Sequence, residues 1–253
     1  MFEIKLASKG NIYDLYTGCC PQETDYQNPL EKSAQLFLKK KRNGWTGLVG
    51  YDGGKPVGRV EFAPLEESFA QISGESLYFT PCMNLLPDYQ RKGYGRKLME
   101  ELLRVTSDRK GVVTRTVTEG WMPPKFFERM GFEVAWQKDP LILLLYKHQE
   151  DAKAKMTTPK FMPNNKPNRV SIDVVWAHSC PYMVANYGRL IRKAKEFPSS
   201  VEITEHFLRD REDAERYGDM NIYVGGEMPF PGPASEGKFE KIIRDHLQKK
   251  RLV

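Results

Sequence analysis

The 253-residue chain predicts an α/β (α+β) fold in two units: a larger one on a mixed sheet and a smaller one after it. Three observations carry this expectation. Between residues 78 and 106 a strand-like run leads through a basic, glycine-bearing loop into an amphipathic helix. Ahead of it, residues 45–51 and 56–64 flank Asp52-Gly53-Gly54-Lys55 and read as a β-hairpin. Behind it, a polar stretch with three prolines, 148–169, precedes a second series of β-rich and helical patterns.

Each element has a local reason. Residues 2–7 alternate apolar and polar, the period of a half-buried strand. Residues 11–28 are polar and small and contain Cys19-Cys20-Pro21. That cysteine pair reads as packing or as the lining of a substrate loop; metal binding is the remaining alternative, with no His-Cys cluster nearby to complete it. Asn28-Pro29-Leu30-Glu31 opens a helix reaching residue 42 or so. Tyr78, Phe79 and the run from Cys82 to Leu86 are apolar or polarizable apart from Asn84, which suits a strand buried on both faces. Pro87 ends that strand, since proline cannot donate to a ladder. Leu98, Met99, Leu102 and Leu103 then recur at helical spacing. Residues 111–118 are β-rich and alternate. Pro123-Pro124 opens a short helix that Gly131 stops, and residues 132–136 and 141–147 supply two more strands.

Composition bounds the function. The net charge of +6 and pI near 9.0 are spread along the chain rather than gathered on one segment, which argues against a nucleic-acid partner. The runs Lys39-Lys40-Lys41-Arg42 and Lys249-Lys250-Arg251 fall near helix C-termini, where cations complement the dipole. No apolar run approaches the roughly 18 residues of a membrane span, so no membrane partner is expected. Met1-Phe2-Glu3-Ile4-Lys5 lacks the pattern of a signal peptide. The 4 cysteines fit no disulfide framework, and the neighbours Cys19 and Cys20 could hardly pair. The expectation is a cytoplasmic, reduced protein whose oligomeric state stays open.

The loop Gln90-Arg91-Lys92-Gly93-Tyr94-Gly95-Arg96 has the physics of an anion cradle. The first turn of a helix offers N–H groups without intrahelical partners, and its dipole favours negative charge. Glycines let backbone approach a phosphate, and Arg91, Lys92, Arg96 and Lys97 suit a ligand with more than one. The alternative is a basic turn entering an ordinary helix. The loop is neither a Walker loop nor a dinucleotide fingerprint. In its setting, Gln90-x-x-Gly93-x-Gly95 resembles the acyl-CoA-binding motif of the GCN5-related N-acetyltransferases (GNAT family). Phe127-x-x-x-Gly131-Phe132 resembles that family's closing signature, and the resemblance covers residues 1–148.

The resemblance implies acetyl-CoA as cosubstrate, no metal, and transfer of an acetyl group to a primary amine by direct attack in a ternary complex. The acceptor, a small molecule or peptide, is undefined. The resemblance places Asn84, Leu85 and Leu86 along the pantetheine arm, Gln90, Arg91, Lys92, Gly93, Tyr94, Gly95 and Arg96 around the pyrophosphate, and Phe127 beside the thioester. The chain departs from the family in two places. Phe127 stands where a tyrosine usually protonates the CoA thiolate, and Gly120-Trp121 lies near the place of the asparagine common after the fifth strand. Cys82, Tyr94, a water or unaided departure remain for the acid role. Glu119, past the fifth strand, and Glu75, before the fourth, are the candidate general bases; a plain surface carboxylate is the alternative for each.

In the second unit, residues 170–176 are β-rich and lead into Ala177-His178-Ser179-Cys180-Pro181-Tyr182-Met183, where a helix starts. A strand at 201–204, a helix at 210–217, strands at 221–224 and 227–230 and a last helix follow. This β-α-β-α-β-β-α order, with Cys-Pro-Tyr at the helix start, resembles the thioredoxin-like fold and glutaredoxins in particular. The implied division is 1–148, a linker at 149–168, and 169–253. Cys180 is the candidate thiol site, with a depressed pKa expected from the helix start. Met183 replaces the second cysteine of a dithiol motif, and Met220 stands where that fold has proline, which favours a structural or substrate-shaping unit. The other reading of the whole chain is a monothiol redox or thiol-binding protein whose first unit senses acyl-CoA without turnover.

Overall fold

The structure, a computed structural model, describes residues 1–19, 27–120, 122–197, 199–229 and 232–251. Its first part contains β1 (Phe2–Leu6), β2 (Thr46–Asp52), β3 (Lys55–Pro64), β4 (Ile72–Ser73), β5 (Leu77–Leu85), β6 (Gly111–Val117), β7 (Glu133–Lys138) and β8 (Leu141–Lys147). All but β4 join one sheet, in the order β1-β2-β3-β5-β6-β8-β7. Only the β5–β6 pair is parallel, so the sheet is mixed.

Helices α1 (Gln27–Lys40), α2 (Tyr94–Val105) and α3 (Pro124–Arg129) cover this sheet. Strand alternation divides β3 between two sides. Val60 and Phe62 pack with Leu98, Met99 and Leu102 of α2. Burying each such side chain contributes about 1.5–3 kcal/mol. Ala63 instead joins Trp45, Val49 and the α1 residues Ala34 and Phe37 in a separate cluster. Arg59 and Glu61 share its parity and are themselves buried.

The second part contains β9 (Lys155–Met156), β10 (Val170–Trp176), α4 (Pro181–Ala194), β11 (Val201–Phe207), α5 (Arg211–Tyr217), β12 (Asn221–Val224) and α6 (Glu236–Lys249). Its sheet runs β11-β10-β12, with β10 parallel to β11 and antiparallel to β12. Tyr187 and Leu190 of α4 and Phe239 and Ile243 of α6 pack on Val170, Ile172 and Val174. The strand expected at 227–230 does not form over the described residues; a single bridge, Val224 to Glu227, takes its place, and Phe230 lies outside them. Gly225 and Gly226 both take left-handed φ and fold the chain back at once, and Pro229 has no N–H to extend a ladder.

The two parts share a core. Val175, Ala177, Leu208 and Ala214 belong to the same apolar cluster as Leu15, Tyr16, Phe37 and Trp45. The polar connection is a strap: β9 pairs with β4, and Thr157 N–H donates to Gln71 O at 3.0 Å. Arg211 donates to Ala70 O at 2.6 Å and Ile72 O at 2.7 Å. Asp219, 8% exposed, accepts from Arg115 and from the Gln71 N–H. Among the described residues no helix is long and apolar enough to cross a membrane.

Asp219→Ala leaves a guanidinium and a buried amide without their acceptor. The expected loss is about 2–4 kcal/mol in denaturant unfolding, discounted because Arg115 keeps part of its surface in water. A loss below about 0.5 kcal/mol would mean that this contact does not hold the parts together.

Candidate functional site

The site begins where two strands part. β5 and β6 pair through Leu77–Gly111, Tyr78–Val112, Phe79–Val113 and Thr80–Thr114, and no further. β5 continues beside β3 as far as Leu85, and β6 beside β8 as far as Val117. Each strand keeps its outer partner, so a gap opens between them. The sequence supplies a cause at the point of divergence. Pro81 follows the last parallel pair and has no N–H for a ladder, and the β3–β5 register shifts across the same position. Peptide groups of 82–85 that turn toward the gap must find water or a ligand.

The loop lies at the open end of β5. Pro87–Tyr89 forms a 3-10 turn, and Gln90 Nε2 donates back to Leu85 O at 3.2 Å. Arg91 has φ +60° and Gly93, which caps α2, has φ +80°. A Cβ on Gly93 would meet nothing within 4 Å, so glycine answers a backbone requirement there. Gly95 is different: a Cβ there would lie 3.2 Å from Leu85 and 3.4 Å from Phe126, so it is needed for close packing. Arg91, Lys92 and Arg96 are exposed, and Lys92 Nζ sits 4.8 Å from the Tyr89 ring centre. The free first-turn amides of α2 and these cations therefore face one patch of solvent at the end of the gap.

Several expected site residues sit elsewhere. Phe127 is 1% exposed and meets Phe126 and Phe132 edge-on at 5.3 and 5.4 Å, inside the core under α2. Its neighbour Phe126 is the partly exposed ring, the one against Gly95. Tyr94 stacks on Phe2 at 4.1 Å and donates to Asp52 Oδ2 at 2.9 Å, at the end of β2 and two strands from β5. It is therefore aimed away from the gap. Glu75 precedes β5, so roughly 30 Å of extended chain separates it from the loop. There it is exposed and 3.6 Å from Lys110, out of reach of chemistry at the gap. Glu119 follows β6 by two residues, at the loop end, and is exposed. Trp121 lies outside the described residues.

Sequence reasoning missed a buried cluster beside the gap. Arg59, 2% exposed, holds Glu61 at 2.9 Å, and Trp45 Nε1 donates to the other carboxylate oxygen at 2.6 Å. Arg59 Nε and Nη2 donate to Cys19 Sγ at 3.2 and 2.7 Å, and Nη2 also reaches Cys82 Sγ at 3.0 Å. Asn84 ties the Cys19 loop to β5 by donating to Gly18 O at 2.6 Å. The Tyr16 ring lies 5.3 Å from the guanidinium. A hydrogen bond from the Cys82 thiol, with help from the Arg59 charge, brings Cys19 down to about 6 against the desolvation that opposes it. Cys82 is pushed the other way and stays protonated. Burial raises the Glu61 carboxyl, with Arg59 and Trp45 pulling against it. A signal was present: Arg59 and Glu61, two apart in a strand, put both charges on one face of an otherwise apolar run.

Cys180 caps the start of α4, near enough to Cys19, Arg59 and Glu61 to feel their charges. Burial pushes its thiol up to about 11, the reverse of the expected depression. A helix start does not offset the removal of water from a buried thiolate that also feels the charge of Cys19. The adjacent Cys20 lies outside the described residues.

Comparison with known proteins places the site in a family context. Residues 43–134, which hold the hairpin, the gap and the loop, match the family described as "Acetyltransferase (GNAT) domain". No curated protein matches the chain. Among solved structures, similarity extends to PaiA N-acetyltransferase from Thermoplasma acidophilum in complex with coenzyme A, at 14% identity, 58% of this chain, 99% of that one and TM-score 0.45. It extends also to the ribosomal-protein-S18-alanine N-acetyltransferase from Escherichia coli, at 14% identity, 59% of this chain, 95% of that one and TM-score 0.44. A GNAT family acetyltransferase from Brucella melitensis in complex with acetyl-CoA gives 17%, 60%, 95% and 0.40.

The thiols are expected to separate by pH. Alkylation mapped by mass spectrometry should modify Cys19 with a midpoint near 6 and Cys180 with a midpoint near 11. For Cys19 the folded pKa lies below the ordinary 9.0, so its stabilising contribution is full above 9.0 and lost as pH falls toward 6. Wild type should thus gain stability over Cys19→Ser as pH rises through that window; a flat difference would place the thiolate elsewhere.

Proposed function

We propose that the chain is an acetyl-CoA-dependent N-acyltransferase acting on a primary amine, by direct attack in a ternary complex. The observation that carries this reading is the gap between β5 and β6, with the glycine-capped, cation-rimmed start of α2 at its end. The residues present fit the cosubstrate. The edge of β5 that faces the gap, along Asn84 and Leu85, suits an extended amide-bearing arm, as an added strand would, with Leu86 just beyond it engaged by Val57 O and the Tyr89 N–H. Gly93, with open space over it, admits a phosphate close to backbone, and Gln90, Arg91, Lys92 and Arg96 surround that position. Phe126, rather than Phe127, is the partly exposed ring, and it lies against Gly95 of the same loop.

Acetyl-CoA, when bound, supplies the activated acyl group. The chain's part is to hold the carbonyl beside the amine and to aim β5 amides at its oxygen. Glu119 is the general-base candidate at the correct end of the strands. Cys82 keeps its proton and lies on the diverging part of β5, which makes it the residue available to protonate the departing thiolate; solvent is the other donor.

Residues 169–253 we read as a thioredoxin-like unit in a structural role, joined to residues 1–148 through the strap at 149–168. The parallel β10–β11 pair, the antiparallel β12 and the helix starting after Cys180 support that reading. The raised Cys180 thiol argues against a monothiol enzyme at that residue.

Two variants test the proposal. Gly93→Glu should weaken acetyl-CoA binding in calorimetry by more than about tenfold, whereas Gly93→Asn, which tolerates left-handed φ without adding charge, should bind within a few-fold of wild type. Equal binding by the Glu variant would move the cradle elsewhere. Glu119→Gln should lower CoA release, screened over a panel of primary amines, by roughly 100- to 10,000-fold with acetyl-CoA affinity unchanged. Full activity in that variant would remove Glu119 from the chemistry.

A further inference from the structure

We propose that Cys19 and Cys82 form a peroxide-reactive dithiol, in which Cys19 is the sulfur oxidised first and Cys82 the sulfur that closes a disulfide. Neither residue is assigned such a role by the acyl-transfer reading, and the inference does not depend on it.

Geometry carries the proposal. Cys19 comes from the segment before α1 and Cys82 from the diverging part of β5, yet one nitrogen, Arg59 Nη2, bonds both sulfurs at 2.7 and 3.0 Å. A second donor, Arg59 Nε, adds to Cys19 alone at 3.2 Å, so the guanidinium favours negative charge on that sulfur. Sharing Arg59 Nη2 brings the two sulfurs within reach of each other, with Cys82 as the protonated partner. Both are partly exposed and unbridged. A thiolate held by a fixed cation next to a protonated thiol is the arrangement that thiol oxidation requires.

The other groups around Cys19 do not compete for the role. Glu61 is engaged by Arg59 and Trp45, and Tyr16 is raised well above its ordinary range by burial. Cys180, which caps α4, holds its proton far above neutrality.

The chemistry balances with hydrogen peroxide as the oxidant. The Cys19 thiolate attacks one peroxide oxygen; an S–O bond forms, the O–O bond breaks, and the departing hydroxide takes a proton from solvent to become water. Cys82 then attacks the Cys19 sulfenic sulfur. The S–S bond forms, the S–O bond breaks, and the leaving hydroxide carries away the Cys82 proton as a second water. Sulfur loses two electrons over the sequence and peroxide gains them. A dithiol reductant reverses the product.

The test uses the full chain carrying Cys20→Ser, so that the adjacent thiol cannot substitute. One equivalent of peroxide should lower the intact mass by two hydrogens and yield a Cys19–Cys82 linked peptide on non-reducing digestion, which dithiothreitol removes. Cys82→Ser in the same background should stop at a Cys19 sulfenic acid that dimedone traps. Cys19 should be lost at least about tenfold faster than Cys180 in parallel alkylation. A linkage to Cys180, or Cys19 still fully alkylatable after peroxide, overturns the assignment. The cross-link map of the Cys20→Ser chain decides even if the Cys82→Ser protein fails to fold.

Discussion

Removing a guanidinium from water costs several kcal/mol unless its surroundings restore what water gave it. Arg59 poses that demand in the middle of β3, and its answer draws on separate segments: Glu61 on the same strand, Cys82 on β5 and Cys19 from the loop before α1. Trp45 and Tyr16 close the arrangement, one bonding the carboxylate and the other laying its ring beside the charge. The buried ion pair is weak as a source of net stability and strong as a source of register. Any slip of β5 against β3, or of the loop against both, would strand a charge. The β3 and β5 side of the gap is thereby tied to the loop before α1.

Backbone irregularities supply the rest of the site's shape. Pro81 coincides with the end of parallel pairing, Arg91 and Gly93 reverse the chain in left-handed conformations, and Gly95 lets the next helix settle against Leu85. Conformations of this kind cost about 1–3 kcal/mol when a non-glycine residue adopts them, and they persist where neighbouring structure over-determines them. Arg91 is the residue that bears this cost, and it also presents a cation at the end of the gap.

The strands and helices around the Gln90–Arg96 loop were legible because each has a local signature: alternation in β1 and β6, a 3.6-residue stripe in α2, glycine and proline at the turns. Side-chain direction was harder to read. Phe126 and Phe127 are adjacent and chemically alike, and only the packing of α3 decides which ring enters the core. Tyr94 likewise could be placed on its helix but not aimed, because its partner Asp52 lies 42 residues away. The Arg59 cluster depends on contacts between residues 40 and 23 positions apart, which no periodicity encodes. At Cys180 the local rule pointed one way, and burial of the thiol by the tertiary fold reversed it.

The shared apolar cluster means that the first part of the chain is not complete at the end of its own sheet. A chain ending after His148 would lack Val175, Ala177, Leu208 and Ala214, the residues that shield Leu15, Tyr16 and Phe37 from water, and would lose the β9 pairing that covers Ile72. Apolar surface uncovered on that scale drives self-association in soluble proteins. Recombinant fragments cut at the apparent boundary would then report on aggregation rather than catalysis, and expression work on this protein is best built on the undivided chain.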